Sequence, residues 1–154
     1  MRKWTLIILA PGPWISANGR YGRFERARLT LSWRSAIEEC CRTSNLPHGP
    51  GQWLDYFSVD GVARFRGRAP VRDRDNLQPT LKAAIDGLTP ERRVTRNGIT
   101  RRVPGWGLIP DDSDKHMAHA SITIGEALQR TTQADHPGLL YLTITELARP
   151  GALF

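Results

Sequence analysis

The chain has 154 residues, 40% of them hydrophobic and five of them Trp, with a formal net charge of +7. That length suits one domain, and the apolar content is enough for a core, which excludes a wholly disordered basic tail. Of the 22 cationic side chains 19 are Arg and only Lys3, Lys82 and Lys115 are Lys. An Arg excess favours forked recognition of phosphate or carboxylate and leaves nucleic acid, an acidic partner or a membrane surface as candidate partners.

No run approaches the length needed to cross a bilayer, so a soluble protein is expected. Met1-Arg2-Lys3 and the apolar run after it faintly imitate a signal peptide. Pro11-Gly12-Pro13 ends that run early, and Thr5 to Ala10 reads better as a buried strand, followed by a loop over Pro11 to Arg23. From Glu25 to about Thr43, Leu29, Trp33, Ile37 and Cys40 recur at helical spacing and leave Arg26, Arg34, Glu38 and Arg42 for the solvent side. The adjacent Cys40 and Cys41 point about 100° apart on a helix, a poor geometry for a disulfide. They read as core thiols of a reducing compartment, hence a cytoplasmic protein. The four scattered histidines make no structural zinc pattern.

Tyr56 to Arg68 alternates like a strand, with Asp60-Gly61 suggesting a turn or bulge and Arg64, Arg66 and Arg68 lining one face. The spacing of Leu77, Leu81, Ala84, Ile85 and Leu88 predicts a second helix over about Gln78 to Leu88, with Pro79 in its first turn and Asn76 as its cap. Thr89 to Gly107 carries Arg92, Arg93, Arg96, Arg101 and Arg102 around an Asn97-Gly98 turn signal and reads as an exposed loop or short hairpin. Strands over about Met117 to Ile124 and Leu139 to Leu147 complete an α/β (α+β) domain over residues 1–154. The expected architecture is a small mixed β-sheet with two main helices on one side.

The chemistry gathers around the second helix. If Val71 to Asp75 is extended, Asp73 and Asp75 point to the same side. Two such carboxylates form half a hard-cation site, and a third from Asp111-Asp112 would complete it for Mg²⁺. Singly, each feature has an ordinary reading. Asp73 and Asp75 can pair with Arg72 and Arg74 or favour the helix dipole, Asp111-Asp112 can be an exposed turn, and Lys82 with Asp86 is a common i, i+4 pair. Together, acids that need a cation beside arginines that need phosphate point to a phosphodiester site.

At these residues the sequence resembles the RusA family of Holliday junction resolvases, small endodeoxyribonucleases of phages and prophages. The resemblance covers most of the chain. It rests on Pro11-Gly12-Pro13 with Asn18, on Arg72-Asp73-Arg74-Asp75-Asn76-Leu77 with Lys82 and Asp86-Gly87-Leu88, on Gly107-Leu108-Ile109-Pro110-Asp111-Asp112, and on the closing strand Leu142-Thr143-Ile144-Thr145-Glu146. It implies that Asp73, Asp75 and Asp112 are catalytic metal ligands and Asp111 an accessory one. The family's catalytic lysine falls on a position that is Pro79 here, and Lys82, one turn further along nearly the same face, stands in for it.

The activity that the resemblance implies is Mg²⁺-dependent hydrolysis of DNA that leaves a 5′-phosphate and a 3′-hydroxyl, with Mn²⁺ fitting the same oxygen ligands. A homodimer is implied as well, whose two-fold symmetry matches paired nicks in a four-way junction. The residues expected to meet DNA are Arg64, Arg66, Arg68, Arg72, Arg74, Arg93, Arg96, Arg101 and Arg102, with Asn18 and Arg20. A competing reading is a non-cutting binder of branched or single-stranded DNA. Trp14, Tyr21 and Trp106 would then either stack on unpaired bases or plug their own loops. His116 and His119 flank the acid turn and face opposite ways, with His116 the better placed to approach a metal.

Overall fold

The computed structural model describes residues 1–67, 69, 73–129 and 136–151. Arg68 and Arg72, both expected to contact DNA, lie outside them. The elements in chain order are β1 (Lys3–Leu9), α1 (Arg23–Thr43), β2 (Phe57–Phe65), a 3-10 turn (Arg74–Leu77), α2 (Gln78–Leu88), β3 (Pro90–Arg96), β4 (Ile99–Trp106), β5 (Met117–Ile124) and β6 (Gly138–Glu146). This is a small α+β fold. Four strands form a mixed sheet in the order β1-β6-β2-β5, and β3 and β4 form a separate ribbon.

Alternation along the strands decides which sheet face meets the helices. Leu6 and Ile8 of β1, Val59, Ala63 and Phe65 of β2, Ile122 of β5, and Leu140, Leu142 and Ile144 of β6 are buried. They share one core with Leu29, Trp33 and Ile37 of α1 and with Leu81, Ala84, Ile85 and Leu88 of α2. β6 runs antiparallel to both β1 and β2, whereas β2 and β5 are parallel. A parallel pair needs a long crossover, and the 3-10 turn, α2 and the ribbon supply it.

The Asp60-Gly61 signal does not make a turn. β2 is hydrogen-bonded to β6 and β5 straight through these residues, and its one register shift falls between Phe57 and Ser58. A central strand paired on both sides has no freedom to turn there. Arg64 and Arg66 do share the face opposite the core, but both are already engaged. Arg64 donates to the Glu126 carbonyl and the Tyr141 hydroxyl, and Arg66 to the Gln129 carbonyl.

α2 has the predicted bounds, yet Asn76 does not cap it. The residue before α2 is Leu77, with no side-chain cap. The capping side chain is Asp73, which accepts from the Asp75 N–H at 3.0 Å and opens the 3-10 turn. The Asn76 carbonyl instead accepts from Ala17.

The largest departure lies on α1. Arg34 and Glu38, expected on its solvent side, are only 5% and 6% exposed. Cys41, rather than Cys40, completes the fully buried stripe begun by Leu29, Trp33 and Ile37. The C-terminal half of β4 lies against this second face of the helix, where Arg34 donates to the Pro104 carbonyl at 2.8 Å and Glu38 accepts from the Gly105 N–H at 2.8 Å. The stretch read as a loop or hairpin is thus a hairpin with a role in the core. Asn97 and Gly98 both take positive φ (52° and 76°), the conformation that a tight two-residue hairpin requires.

Candidate functional site

The site is built where α1, α2 and the turn after β4 meet. Gly87 of α2 lets the helices close on each other. A Cβ there would fall 2.7 Å from Ile37 Cβ and 3.0 Å from the Arg34 carbonyl oxygen. With the backbones this near, Asp86 comes beside Arg34, whose Nη1 lies 3.9 Å from its Oδ2. One turn earlier on α2, Lys82 donates to Asp86 Oδ1 at 2.7 Å. Lys82 also bonds Asp112.

Asp112 reaches Lys82 because the preceding apolar segment is anchored. Leu108 and Ile109 are fully buried, and their N–H groups donate to the Leu88 carbonyl at the end of α2. The chain therefore leaves the core at a defined point and presents Asp111 and Asp112 beside the helix. Asp111 is exposed and accepts from the Ser113 N–H at 2.8 Å. Bonds from Ser113 hold its carboxyl below the ordinary aspartate range. Arg34, Lys82, Asp86, Arg92, Asp111 and Asp112 line one groove of about 440 Å³.

The electrostatics give Lys82 one role. Burial disfavours its ammonium, but hydrogen bonds to Asp112 and Asp86 outweigh that and lift its pKa above the ordinary lysine value. It is a standing positive charge at neutral pH and not a proton acceptor.

Asp73 and Asp75 are exposed at the start of the same crossover. They do not share one extended segment, because Asp73 is extended and Asp75 lies in the 3-10 turn. Neither lines the groove with Asp112. Among the described residues no three His, Cys, Asp or Glu side chains converge as a metal cage. The donor chemistry still suits Mg²⁺, which usually keeps several waters and binds one or two carboxylates together with substrate phosphates. Asp112 offers Oδ1 while Lys82 holds Oδ2, and Asp111, Asp73 and Asp75 are carboxylates open to solvent.

The other sequence candidates are spread over the loop after β1, the ribbon and the chain about the start of β5, and none of them lines this groove. The loop after β1 is tied to α2 through the buried Thr80, whose hydroxyl accepts from the Ile15 N–H and donates to the Ile15 carbonyl. This leaves Asn18 and Arg20 exposed near the 3-10 turn that holds Asp75 and Arg74. Arg93, Arg96 and Arg101 are exposed on the ribbon, while Arg102 is paired with Glu38 and Glu91. His116 does approach the acid turn. Its Nδ1 donates to the Asp55 carbonyl at 2.8 Å and its Nε2 lies 3.7 Å from Asp111, whereas His119 sits 3.4 Å from Asp60.

Trp14 packs against Trp33 and Phe65, and Trp106 donates to the carbonyls of Leu46 and Pro47 while stacking on His48. Both are plugs. Arg34 and Arg92 are not among the contacts expected from sequence, and neither is Phe24, 86% exposed on α1. The signals for them are the arginine spacing on α1, an alternation of Arg with Val or Ile in the ribbon, and an aromatic residue on a polar helix face. Neither the protein-family models nor the curated proteins give a match to this chain.

Proposed function

We propose that the protein is a Mg²⁺-dependent, structure-selective endodeoxyribonuclease that resolves four-way DNA junctions by paired nicks, acting as a homodimer in the cytoplasm. The observation that carries this reading is the Lys82–Asp112 pair, in which an amine held in its charged form on α2 meets a carboxylate of the acid turn inside an arginine-lined groove. The RusA-like motif supplies the same two partners, and Lys82 reaches the acid turn although Pro79 occupies the usual lysine position. Its charge can offset the negative charge that builds on a phosphate under attack. Asp112 and Asp111 are the carboxylates of the groove that would hold Mg²⁺ (or Mn²⁺), Asp73 and Asp75 would add ligands from outside its lining, and the ion when bound supplies charge neutralisation and activation of water. No helix among the described residues is long and apolar enough to cross a membrane.

One observation favours a second reading, a binder of branched or single-stranded DNA that does not cut. Lys82 already satisfies part of Asp112, and Asp73 spends one oxygen on the Asp75 N–H. A labelled four-way junction incubated with and without Mg²⁺ separates the two. Paired nicks only with the ion support the nuclease, and a retarded but uncut junction supports the binder. In the nuclease, Asp75→Asn leaves junction binding intact or improved and abolishes nicking, and full activity of that variant in Mg²⁺ refutes its assignment as a ligand.

A further inference from the structure

The ribbon and α1 enclose a groove of about 870 Å³ that the acid site does not account for. On the helix wall Arg23, Arg26, Thr30 and Arg34 line it at i, i+3, i+7 and i+11, a face separate from the Leu29, Trp33 and Ile37 stripe that meets the core. On the ribbon wall the register sets Arg92 across from Val103, Val94 across from Arg101, and Arg96 across from Ile99. Each of these arginines faces an aliphatic neighbour and none faces another, so the wall alternates charge with apolar surface in both directions.

Two facing rows of cations repel each other unless an anion lies between them. Arg26, Arg92, Arg96 and Arg101 make no side-chain hydrogen bond or ion pair among the described residues, and the one acidic residue described in the lining is Asp86. It sits at the end where Arg34, Asp86 and Arg92 also line the groove that holds Lys82 and Asp112. Burial pushes the Arg34 guanidinium below its ordinary value; Asp86 offsets part of that fall and Arg92 adds to it. The two hollows therefore form one path from the hairpin tip to the acid turn. At the other side, an adjoining hollow shares Leu31 and Arg101 and adds Phe24. Leu31, Ile99 and Phe24 are 43%, 59% and 86% exposed.

We propose that this path is a track for one unpaired strand of DNA, its phosphates held by Arg26, Arg92 and Arg101 and a base stacked on Phe24. The rows match in length. The eight-residue rise along the helix from Arg26 to Arg34 is about 12 Å, and the four-residue advance along the strand from Arg92 to Arg96 is about 13 Å. A duplex turns its bases inward and would leave the exposed apolar side chains without partners. An unpaired strand offers each of them a base face while its backbone follows the arginines. That the track delivers DNA for cleavage at Lys82 and Asp112 rests on the nuclease reading, whereas binding of the strand does not.

The test is titration of a fluorescein-labelled dT12 oligonucleotide in EDTA, followed by anisotropy at several salt concentrations. Arg92→Gln combined with Arg101→Gln weakens binding by tenfold or more and flattens the salt slope by about 1.4, since each lost single-strand phosphate contact removes about 0.7. Phe24→Ala weakens binding about tenfold, as loss of one stacked base predicts, and leaves the salt slope unchanged. Lys3→Gln combined with Lys115→Gln, both exposed and away from the groove lining, removes the same two charges and retains wild-type affinity and salt slope. All these positions are exposed, and unchanged melting temperatures verify that the variants are folded. The proposal is overturned if the wild type does not bind dT12, if the groove variants bind it as well as the charge-matched Lys3→Gln with Lys115→Gln variant does, or if a 12-base-pair duplex binds equally well with the same losses. Because EDTA removes cleavage from the readout, an uncut junction with the groove losses intact rejects the nuclease and leaves the track standing.

Discussion

Replacing Glu38 tests how much of the ribbon's attachment to α1, which Arg34 shares through the Pro104 carbonyl, rests on one buried carboxylate. Its Oε2 accepts from the Gly105 N–H at 2.8 Å and from Arg102, and its Oε1 from Arg42 at 3.0 Å. In Glu38→Ala the Gly105 N–H is left buried without a partner, a cost of about 1–3 kcal/mol. The Arg102 side chain is 41% exposed, so its pair adds less than about 1 kcal/mol. The expected loss is about 1–4 kcal/mol, which for a chain of this size lowers the melting temperature by roughly 3–15 °C. Glu38→Gln keeps an acceptor for Gly105 and loses less, about 1 kcal/mol.

Acid titration distinguishes this account from simple loss of packing. Burial alone would raise the Glu38 pKa, but hydrogen bonds from Arg102, the Gly105 N–H and Arg42 outweigh it and hold the carboxyl below its ordinary value. A depressed carboxyl stabilises the fold above the unfolded pKa of about 4.3 and ceases to do so as pH falls through the lower folded value. Melting curves by circular dichroism should therefore show the gap between wild type and Glu38→Gln closing below about pH 4. Equal melting temperatures for wild type and Glu38→Ala at neutral pH, or a gap that widens on acidification, would refute the reasoning.

On the nuclease reading, Lys82→Ala should lower junction turnover far more than junction affinity, because one lysine is a small part of the basic surface; equal losses in kcat and binding would recast it as a plain phosphate contact. Gly87→Ala should destabilise by about 1–3 kcal/mol in urea unfolding, since helix propensity gains about 1 kcal/mol but the new Cβ collides with Ile37. A stabilised variant would mean that the helices are less closely packed than their geometry requires. Burial pushes the Cys41 thiol up to about 12, so a thiol reagent at mildly alkaline pH should modify the half-buried Cys40 first and reach Cys41 only on unfolding. Fast labelling of both in the native protein would contradict this.

Local pattern made most elements legible. Apolar side chains at helical spacing from Leu77 to Leu88 mark α2 and the residue that precedes it, and Asn97-Gly98 marks the hairpin because few other pairs take positive φ twice in succession. The acid turn and Lys82 stood out in the sequence as one candidate site, and the fold brings Asp112 and Lys82 into contact. Two things were not legible. Asp73 and Asp75 belonged to one face only if the chain stayed extended, and the 3-10 turn broke that condition. Arg34 and Glu38 read as solvent-facing because nothing in the periodicity of one helix tells how many neighbours it has.

The sequence by itself determined the elements, the excess of arginine and its concentration around the acids, since these depend on side-chain chemistry and short-range spacing. Ten of the 19 arginines lie between Arg64 and Arg102, but their duties differ. Arg64 and Arg66 are spent on neighbouring carbonyls, Arg102 on two carboxylates, and Arg92 and Arg101 face an open groove with Arg34 from a distant helix. Only the tertiary structure decided this division. A guanidinium binds whatever acceptor lies within reach, and which acceptors lie within reach depends on segments far apart in the chain.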